Sequence, residues 1–276
     1  MLVNFKELLA EARENKCAVC AFNCYNYETI RGAIEAAAEL EKPIIIAFGE
    51  NYFSNMDLEE VVALVTQINR KYCTRVVLHL DHCKSVANIR KAIQAGFTSV
   101  MYDGSELNLA ENIKNTREVV QMAHLENVTV EAELGSLARG IHSNEDDTRE
   151  IFTNPEEAKE FVEATGVDAL AISIGTVHGL YKGKPKINID VLKKINAQVN
   201  VPLVLHGGSG TPEDVLKRCI AEGIAKINVN TEISVRVIEA IRQLVTGENI
   251  GHFSELSLKS KYVVKENVKK YLRLFS

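Results

Sequence analysis

Eight short apolar runs alternate along the chain with segments in which apolar residues recur at helical spacing. One such segment carries Ile30, Ile34 and Ala37, which lie three or four residues apart. The runs themselves are rich in β-branched and aliphatic residues, which is typical of parallel strands buried on both faces. They cover residues 18–23, 43–48, 75–80, 98–102, 127–133, 168–173, 201–206 and 225–230. Eight strands alternating with eight helices predict an α/β fold of the (β/α)8 TIM-barrel type rather than an open doubly wound sheet.

The same pattern predicts a single barrel domain over residues 1–276, because no linker or low-complexity segment interrupts it. Two connections are long: residues 135–154, which are rich in charge, and residues 175–186, which are basic and rich in glycine. Long connections without secondary structure often serve as lids. We therefore predict a lid loop at about 135–154. A solvated surface loop is the alternative for both segments.

Two helix starts carry a local signal. Asn154-Pro155-Glu156 and Thr211-Pro212-Glu213 each place a short polar side chain before a proline and an acidic residue. Such a side chain can accept hydrogen bonds from the free amides of the first turn, and proline suits the first helical position. The sequence therefore predicts helices capped by Asn154 and Thr211.

Composition and charge exclude several classes of protein. A net charge of −5 argues against a nucleic-acid partner bound through its phosphates. No apolar stretch approaches the ~18 residues that would span a bilayer, which argues against a membrane protein. Residues 1–20 carry charge throughout and lack the apolar core of a signal peptide, which predicts a cytoplasmic location. We interpret the pair Cys17 and Cys20, in a predicted strand, as small apolar side chains in a reducing compartment.

Three histidines stand where predicted strands end. His82 closes the string LHLDH, His178 lies in GTVHG, and His206 opens HGGSG. In a (β/α)8 barrel the carboxyl ends of the strands surround the active site. Three neutral imidazoles with an open fourth position are typical of catalytic zinc. A hydrogen-bonded core histidine is the alternative for any one of them, but three at corresponding strand ends favour a metal site.

Acidic residues occupy neighbouring strand ends. Asp81, beside His82, is the natural acid–base group, since a carboxylate next to a metal-held substrate can move a proton to or from a hydroxyl. Its alternative role is to orient a ligand histidine. Asp103 and Glu133 end the fourth and fifth predicted strands, where their oxygens could offer a second metal position or act as acid–base groups.

Two glycine-rich or amide-rich segments follow the seventh and eighth predicted strands, the usual phosphate-binding positions in such barrels. Glycine lets an anion approach the backbone closely, and a helix predicted to begin near Glu232 would direct its positive end at the same place. Gly179 is predicted to form a third edge of the same phosphate site. The candidate phosphate-binding residues are Gly179, Gly207, Gly208, Ser209, Asn228, Val229, Asn230 and Thr231.

Taken in order, these motifs resemble those of a known family. LHLDH, GFTSVMYDGS, VEAELG, IGTVHGLYKGKPK, PLVLHGGSG and KINVNTE are similar to the motifs of the class II, zinc-dependent ketose-bisphosphate aldolases, in the branch of the fructose- and tagatose-bisphosphate enzymes. The resemblance extends from about Phe5 to Phe275 and implies a (β/α)8 barrel, usually assembled as a homodimer or homotetramer.

The resemblance also implies roles. Asp81 would exchange a proton with the C4 hydroxyl of the substrate, and His82, His178 and His206 would bind one Zn²⁺ per subunit. A monovalent cation is a further candidate cofactor. The glycine-rich and amide-rich segments would hold dihydroxyacetone phosphate. No lysine stands at the end of the sixth predicted strand, so a Schiff base is not expected.

This chain departs from the family pattern in three places. Residues 47–50 read AFGE where the family has glutamine and serine. The lid reads ELGSLARGIHSNED, which displaces Glu145, the second candidate catalytic residue, along the loop. Residues 250–254 replace a string whose arginine grips the second phosphate of the substrate. Candidates to replace that arginine are Arg139, Lys182 and Lys184.

The sequence therefore predicts an enzyme acting on a small sugar phosphate. We expect reversible cleavage of fructose 1,6- or tagatose 1,6-bisphosphate to dihydroxyacetone phosphate and glyceraldehyde 3-phosphate. One alternative is an aldolase for another ketose 1-phosphate that releases an unphosphorylated aldehyde. A metal-dependent isomerase or epimerase and a non-catalytic companion subunit of an aldolase are the other two.

Overall fold

Eight parallel strands close into a barrel in this computed structural model, which describes residues 2–145, 150–247 and 252–276. The order around the barrel is β1-β10-β9-β7-β5-β4-β3-β2, and the described part of the chain has two further short strands, β6 and β8, that pair with each other. The strands are β1 (Val19–Asn23), β2 (Ile44–Gly49), β3 (Val76–Cys83), β4 (Ser99–Tyr102), β5 (Thr129–Leu134), β6 (Ala138–Arg139), β7 (Ala169–Ile172), β8 (Val177–His178), β9 (Leu203–Leu205) and β10 (Ile224–Val229). The predicted (β/α)8 barrel is confirmed.

In the described part of the chain, one helix follows each barrel strand, and two more helices lie outside this alternation. The helices are α1 (Lys6–Glu14), α2 (Tyr27–Glu39), α3 (Leu58–Tyr72), α4 (Val86–Ala95), α5 (Leu109–Leu125), α6 (Pro155–Thr165), α7 (Ile189–Gln198), α8 (Glu213–Ala221), α9 (Thr231–Gly247) and α10 (Phe253–Leu274). A short 3-10 turn, Glu50–Tyr52, follows β2. The sequence pattern did not predict α1 and α10 as separate elements.

Helix α1 closes the amino-terminal end of the barrel. Its Leu8 and Leu9, with Phe5 before the helix, are buried in one cluster with inward-facing residues of the barrel strands such as Val77 and Val204. Helix α10 instead packs along α2 on the outside. These two helices leave the carboxyl end of the barrel free for the site.

Of the two predicted helix caps, one is confirmed and the other is wrong. Asn154 caps α6, because its side chain accepts hydrogen bonds from the amides of Glu156 and Glu157. The Thr211 cap is wrong: α8 begins at Glu213, and Pro212 is its N-cap residue. The Thr211 hydroxyl donates instead to the carbonyl of Gly207, at 3.0 Å, and so braces the glycine-rich turn after β9.

The two long connections pair with each other through β6 and β8. The amide of Gly140 donates to the His178 carbonyl at 2.6 Å, and the amide of Ile141 donates to the Leu180 carbonyl at 2.8 Å. The base of the 135–154 segment is closed by paired backbone hydrogen bonds between Ser136 and Ile151, each 2.9 Å long. Residues 146–149 of the predicted lid lie outside the described residues.

Cys20 is buried in β1, whereas Cys17 lies before that strand and is partly exposed. Among the described residues, no helix combines the length and the apolar character that a membrane crossing needs.

Candidate active site

The three predicted metal histidines meet at the carboxyl end of the barrel. His82 lies in β3, His178 in β8, and His206 directly after β9. One potential ligand atom from each lies within 4.8 Å of the others. The ring centroid of His82 is 4.9 Å from that of His178 and 4.6 Å from that of His206. A single ion could therefore contact all three rings.

Acidic side chains orient two of these rings. Asp103 Oδ2 lies 2.8 Å from His82 Nδ1, which leaves Nε2 of that ring for a metal. Glu131 Oε1 lies 3.0 Å from His206 Nε2, which leaves Nδ1. Metal-bound histidines commonly use their second nitrogen in this way, since the contact fixes the tautomer and the ring orientation.

Several polar atoms in this cluster are buried without a hydrogen-bond partner among the described residues. They are His178 Nε2, His206 Nδ1 and Glu133 Oε2. The last two atoms are 3.0 Å apart but not aligned for a hydrogen bond. Buried polar groups are nearly always satisfied, so converging orphan atoms indicate a ligand that binds between them. Two imidazole nitrogens and a carboxylate oxygen suit a divalent cation, and the residues present fit a metal ion.

The predicted second metal position also has a geometric basis. His82, Asp103 and Glu133 form another group with ligand atoms within 4.8 Å of one another. His82 belongs to both groups, so the two positions adjoin.

Burial alone lowers the pKa of His82, but the nearby Asp81 and Asp103 outweigh it and hold that pKa well above its usual value.

Asp81 faces the same cavity and is buried between two amides. Asn23 Nδ2 donates to its Oδ2 at 2.8 Å, and Asn228 Nδ2 donates to its Oδ1 at 3.1 Å. Burial raises the pKa of Asp81, but the positive groups around it, His82 first, outweigh burial and lower the pKa below its usual range. Asp81 is therefore a fixed carboxylate at neutral pH. Sequence analysis did not single out Asn23.

A buried ion pair lies beneath the site, inside the barrel. Lys226 Nζ is 2.7 Å from Glu131 Oε2, and both side chains are fully buried. Burial raises the pKa of Glu131, yet Lys226 and the contact with His206 lower it to about 2. Glu131 is thus an anion held between a lysine and a candidate ligand histidine. Neither residue was predicted, although Glu131 precedes Glu133 by one strand period and shares its face.

The predicted phosphate-binding residues surround one side of the cavity. Ser209 Oγ accepts hydrogen bonds from the amides of Asn230, at 3.2 Å, and Glu232, at 3.1 Å, which ties the turn after β9 to the start of α9. Gly207 has a φ of 74°, and a Cβ there would lie 2.3 Å from the Val177 carbonyl oxygen, so only glycine fits. The cavity is lined on this side by Gly179, Gly207, Ser209, Asn228, Asn230 and Thr231, whereas Gly208 and Val229 are not among its lining residues.

Glu145 reaches the same cavity despite its displacement along the loop. Its Oε2 accepts a hydrogen bond from Asn51 Nδ2 at 3.0 Å, and burial raises its pKa. Arg139 donates to the Ser143 carbonyl at 3.0 Å and does not line the cavity, and neither do Lys182 and Lys184. Among the described residues, no lysine or arginine lines this cavity.

Comparisons with known proteins agree with this geometry. The family model described as fructose-bisphosphate aldolase, class II, matches residues 3–276. The YdjI aldolase from Escherichia coli K12 is similar to the chain, with 33% identity and a TM-score of 0.89, over 100% of this chain and 98% of that one. A candidate fructose-1,6-bisphosphate aldolase from Coccidioides immitis is similar at 30% identity and a TM-score of 0.89, over 98% of this chain and 94% of that one.

A third solved structure, fructose-bisphosphate aldolase from Campylobacter jejuni, is 21% identical with a TM-score of 0.82, over 99% of this chain and 95% of that one, and shows a shared fold. The family match spans almost the whole chain, and it falls on the motifs that bring the histidines and Asp81 together. The chain therefore belongs to the class II fructose-bisphosphate aldolase family, and it is a lyase.

Proposed function

We propose that this enzyme is a zinc-dependent aldolase that reversibly cleaves a ketose phosphate to dihydroxyacetone phosphate and an aldehyde. The observation that carries the proposal is the convergence of three histidines, with unpartnered buried nitrogens, on a cavity that also holds the Asp81 carboxylate. Zn²⁺ held by His82, His178 and His206 would act as a Lewis acid that polarises the ketose carbonyl.

Asp81 is the proton acceptor for cleavage. Its lowered pKa keeps it ionised, and the amides of Asn23 and Asn228 fix both of its oxygens. When the C3–C4 bond breaks, Asp81 takes the proton of the C4 hydroxyl, and the C4–O bond becomes the aldehyde carbonyl. In the reverse direction the same carboxyl group returns that proton as the C–C bond forms.

Glu145 is the group that gives a proton to C3 during cleavage. The electron pair of the broken bond remains with C3, and that carbon must gain a proton before dihydroxyacetone phosphate is released. Burial raises the pKa of Glu145, which favours the protonated form that can donate to C3. Condensation requires the reverse step, in which Glu145 removes that proton.

The phosphate of the triose half would lie at the start of α9. This 17-residue helix begins at Thr231, so its first amides and its dipole favour an anion there. Ser209 and the glycines at positions 179 and 207 bring backbone close to the same place. The triose phosphate would therefore be held mainly by backbone amides.

The aldehyde half of the substrate has two candidates. The family resemblance favours fructose 1,6- or tagatose 1,6-bisphosphate, both of which carry a second phosphate. The cavity that holds Asp81 has no lysine or arginine among its described lining residues, which favours a ketose 1-phosphate that releases an unphosphorylated aldehyde, because a phosphate is bound best by charged donors. The adjoining cavity, which shares His82, His178 and Glu145, is lined by Lys84, a charged donor that a second phosphate could use.

Two assays on the zinc-loaded protein test the proposal. In D₂O, the enzyme should exchange one C3 hydrogen of dihydroxyacetone phosphate for deuterium, which NMR detects without any knowledge of the aldehyde. We expect Glu145→Gln to slow this exchange by about 10²-fold or more, the scale of a lost acid–base group, and to leave a measurable residual rate. Asp81→Asn should retain the exchange while losing cleavage, because Asp81 acts only at the C4 hydroxyl.

Steady-state kinetics on fructose 1,6-bisphosphate, tagatose 1,6-bisphosphate and fructose 1-phosphate then choose between the candidates. A monophosphate preferred by tenfold or more in kcat/KM would reject the bisphosphate assignment. Interconversion of sugar phosphates without a triose product would indicate the isomerase alternative. Failure of the purified protein both to exchange and to cleave would contradict the proposal and favour a companion subunit.

A further inference from the structure

The 3-10 turn after β2 contacts the loop that follows β5. Asn51 Nδ2 donates to Glu145 Oε2 at 3.0 Å and lies 3.4 Å from the backbone oxygen of Asn144. The Tyr52 hydroxyl oxygen accepts a hydrogen bond from Asn144 Nδ2 at 2.9 Å. The turn and the loop are more than 90 residues apart in sequence, so these contacts are tertiary and specific to the folded barrel.

Tyr52 is itself firmly placed. Its ring centroid is 4.9 Å from that of Tyr25 and 6.3 Å from that of Phe48. Its hydroxyl oxygen accepts a second hydrogen bond, at 2.9 Å, from Nδ2 of Asn230, a residue of the phosphate-binding side. One phenol oxygen therefore joins Asn144 in the loop to Asn230 at the start of α9.

The rest of the loop is held differently. Up to Ile141 it is fixed by backbone pairing with the segment around Leu180, and Arg139 holds the Ser143 carbonyl. Among the described residues, the side chains of Asn144 and Glu145 form hydrogen bonds only with this turn: Asn51 donates to Glu145, and Asn144 donates to Tyr52. The position of the Glu145 carboxylate thus depends on this turn.

We propose that Asn51 and Tyr52 are positioning residues for Glu145. Asn51 directs the Glu145 carboxylate into the cavity that holds Asp81 and His82, and Tyr52 anchors the adjacent Asn144 to Asn230. This inference rests on the proposed function, in which Glu145 carries the proton at C3. It gives a role to the two residues that directly follow residues 47–50, the positions where the sequence departs from the family pattern.

Small displacements of a catalytic group are costly, because proton transfer needs the carboxylate within hydrogen-bond reach of the carbon-bound proton. Tyr52→Phe keeps the ring packing and removes only the oxygen that joins Asn144 and Asn230. Asn51→Ala removes the donor to Glu145. Tyr72→Phe is the matched control, because it removes a phenol oxygen that bonds Glu35, at 3.0 Å, away from the site.

The test combines hydrogen–deuterium exchange with kinetics on the zinc-loaded protein. Without substrate, Tyr52→Phe and Asn51→Ala should speed amide exchange in residues 136–145, and Tyr72→Phe should leave it unchanged. Asn51→Ala should lower kcat by about tenfold with little change in KM, since it touches no substrate-binding group. Tyr52→Phe should lower kcat by a similar factor and also raise KM, because it releases Asn230 on the phosphate-binding side. In a Glu145→Gln background, Asn51→Ala should cause no further fall in kcat.

Two results would overturn the inference. One is unchanged exchange in residues 136–145 in both variants. The other is an equal fall in kcat when Asn51→Ala is added to Glu145→Gln, which would show a role independent of Glu145. The exchange measurement needs no turnover, so faster exchange in a protein without aldolase activity would support the positioning role while contradicting the proposed function.

Discussion

At the scale of single residues, the backbone of His82 explains how two consecutive side chains serve one cavity. Neighbouring residues of a regular strand point to opposite faces, so Asp81 and His82 should not both face the site. His82 has a φ of 46°, and the register of β3 against β4 shifts between Leu80 and Cys83. This bulge turns His82 toward the cavity that Asp81 already faces. Such strained backbone is typical of functional sites.

Asp81 and His82 face the same cavity but make different contacts, so we predict that their roles can be separated by substitution. We expect Asp81→Ala to retain the metal and to lower kcat by about 10² or more, the scale of a lost acid–base group. Asp81 accepts hydrogen bonds from two asparagines and is not a member of either group of candidate metal ligands. Zinc content by atomic absorption, measured beside the rate, checks this.

His206→Ala is the matched comparison, because it removes a ring with an unpartnered nitrogen at the centre of the cluster. It should lose both zinc and activity. If Asp81→Ala loses its zinc together with its rate, Asp81 supports the metal site and is not the proton acceptor.

The site residues differ in how strongly the sequence pattern predicts them. His82, His178 and His206 stand out because all three were placed at ends of predicted strands, and three histidines in such positions favour a metal over hydrogen-bonded core residues. Lys226 and Glu131 lie within strands, where the pattern cannot distinguish a charge inside the barrel from one outside it. Asn51 and Tyr52 acquire their contacts only when the β2 turn and the long loop come together, so no local signal marks them.

At the scale of secondary-structure elements, the attachment of α10 to α2 depends on a close approach and a buried charge. A Cβ at Gly32 would lie 2.8 Å from the Lys261 carbonyl oxygen, so glycine permits the contact. Glu35 of α2 lies 2.8 Å from Arg31 and 3.0 Å from Lys261 of α10, and it also accepts the hydrogen bond from Tyr72 of α3. One carboxylate therefore connects three helices.

The pKa of Glu35 predicts a pH-dependent contribution to stability. Burial raises this pKa, but Arg31, Lys261 and Tyr72 lower it to about 2. A carboxyl whose folded pKa is depressed stabilises the fold above its unfolded pKa, near 4.3, and loses that effect as the pH falls toward 2. After allowance for solvent screening, Glu35→Gln should lower the free energy of unfolding at pH 7 by about 1–2 kcal/mol.

Urea denaturation between pH 7 and pH 3.5 measures this effect. The difference between wild type and Glu35→Gln should be constant above pH 5 and should shrink below it. Glu118→Gln, at an exposed position in α5, is the control and should show no such trend. A difference that persists unchanged to pH 3.5 would assign the effect to packing and not to charge.

The elements were predicted unevenly, for physical reasons. The barrel strands were found because burial on both faces leaves continuous apolar runs, but β3 extends beyond its predicted end to Cys83 because the bulge continues the pairing. The short strands β6 and β8 were missed, since two-residue pairs carry no periodic signal. The Thr211 cap was wrong because α8 begins one residue later than predicted, and the Thr211 hydroxyl bonds the Gly207 carbonyl within the preceding turn.

At the scale of the whole molecule, the apolar cluster that closes the barrel and the candidate active site lie at opposite ends of the barrel. Helix α1 and its apolar cluster close the amino-terminal end, and the carboxyl end gathers the histidines, Asp81 and the start of α9. The buried pair of Glu131 and Lys226 lies in the interior and orients His206 from below. The homodimer or homotetramer implied by the resemblance stays a prediction.

The most direct test of the central claim is reversible removal of the metal while cleavage of the preferred ketose phosphate is followed. Chelation should abolish release of dihydroxyacetone phosphate, and stoichiometric Zn²⁺ should restore it, because the Zn²⁺ that the three histidines would hold is the Lewis acid of the proposed reaction. Borohydride added during turnover should trap no covalent adduct. Cleavage that survives chelation and is inactivated by borohydride in the presence of substrate would show a lysine Schiff base and contradict the account.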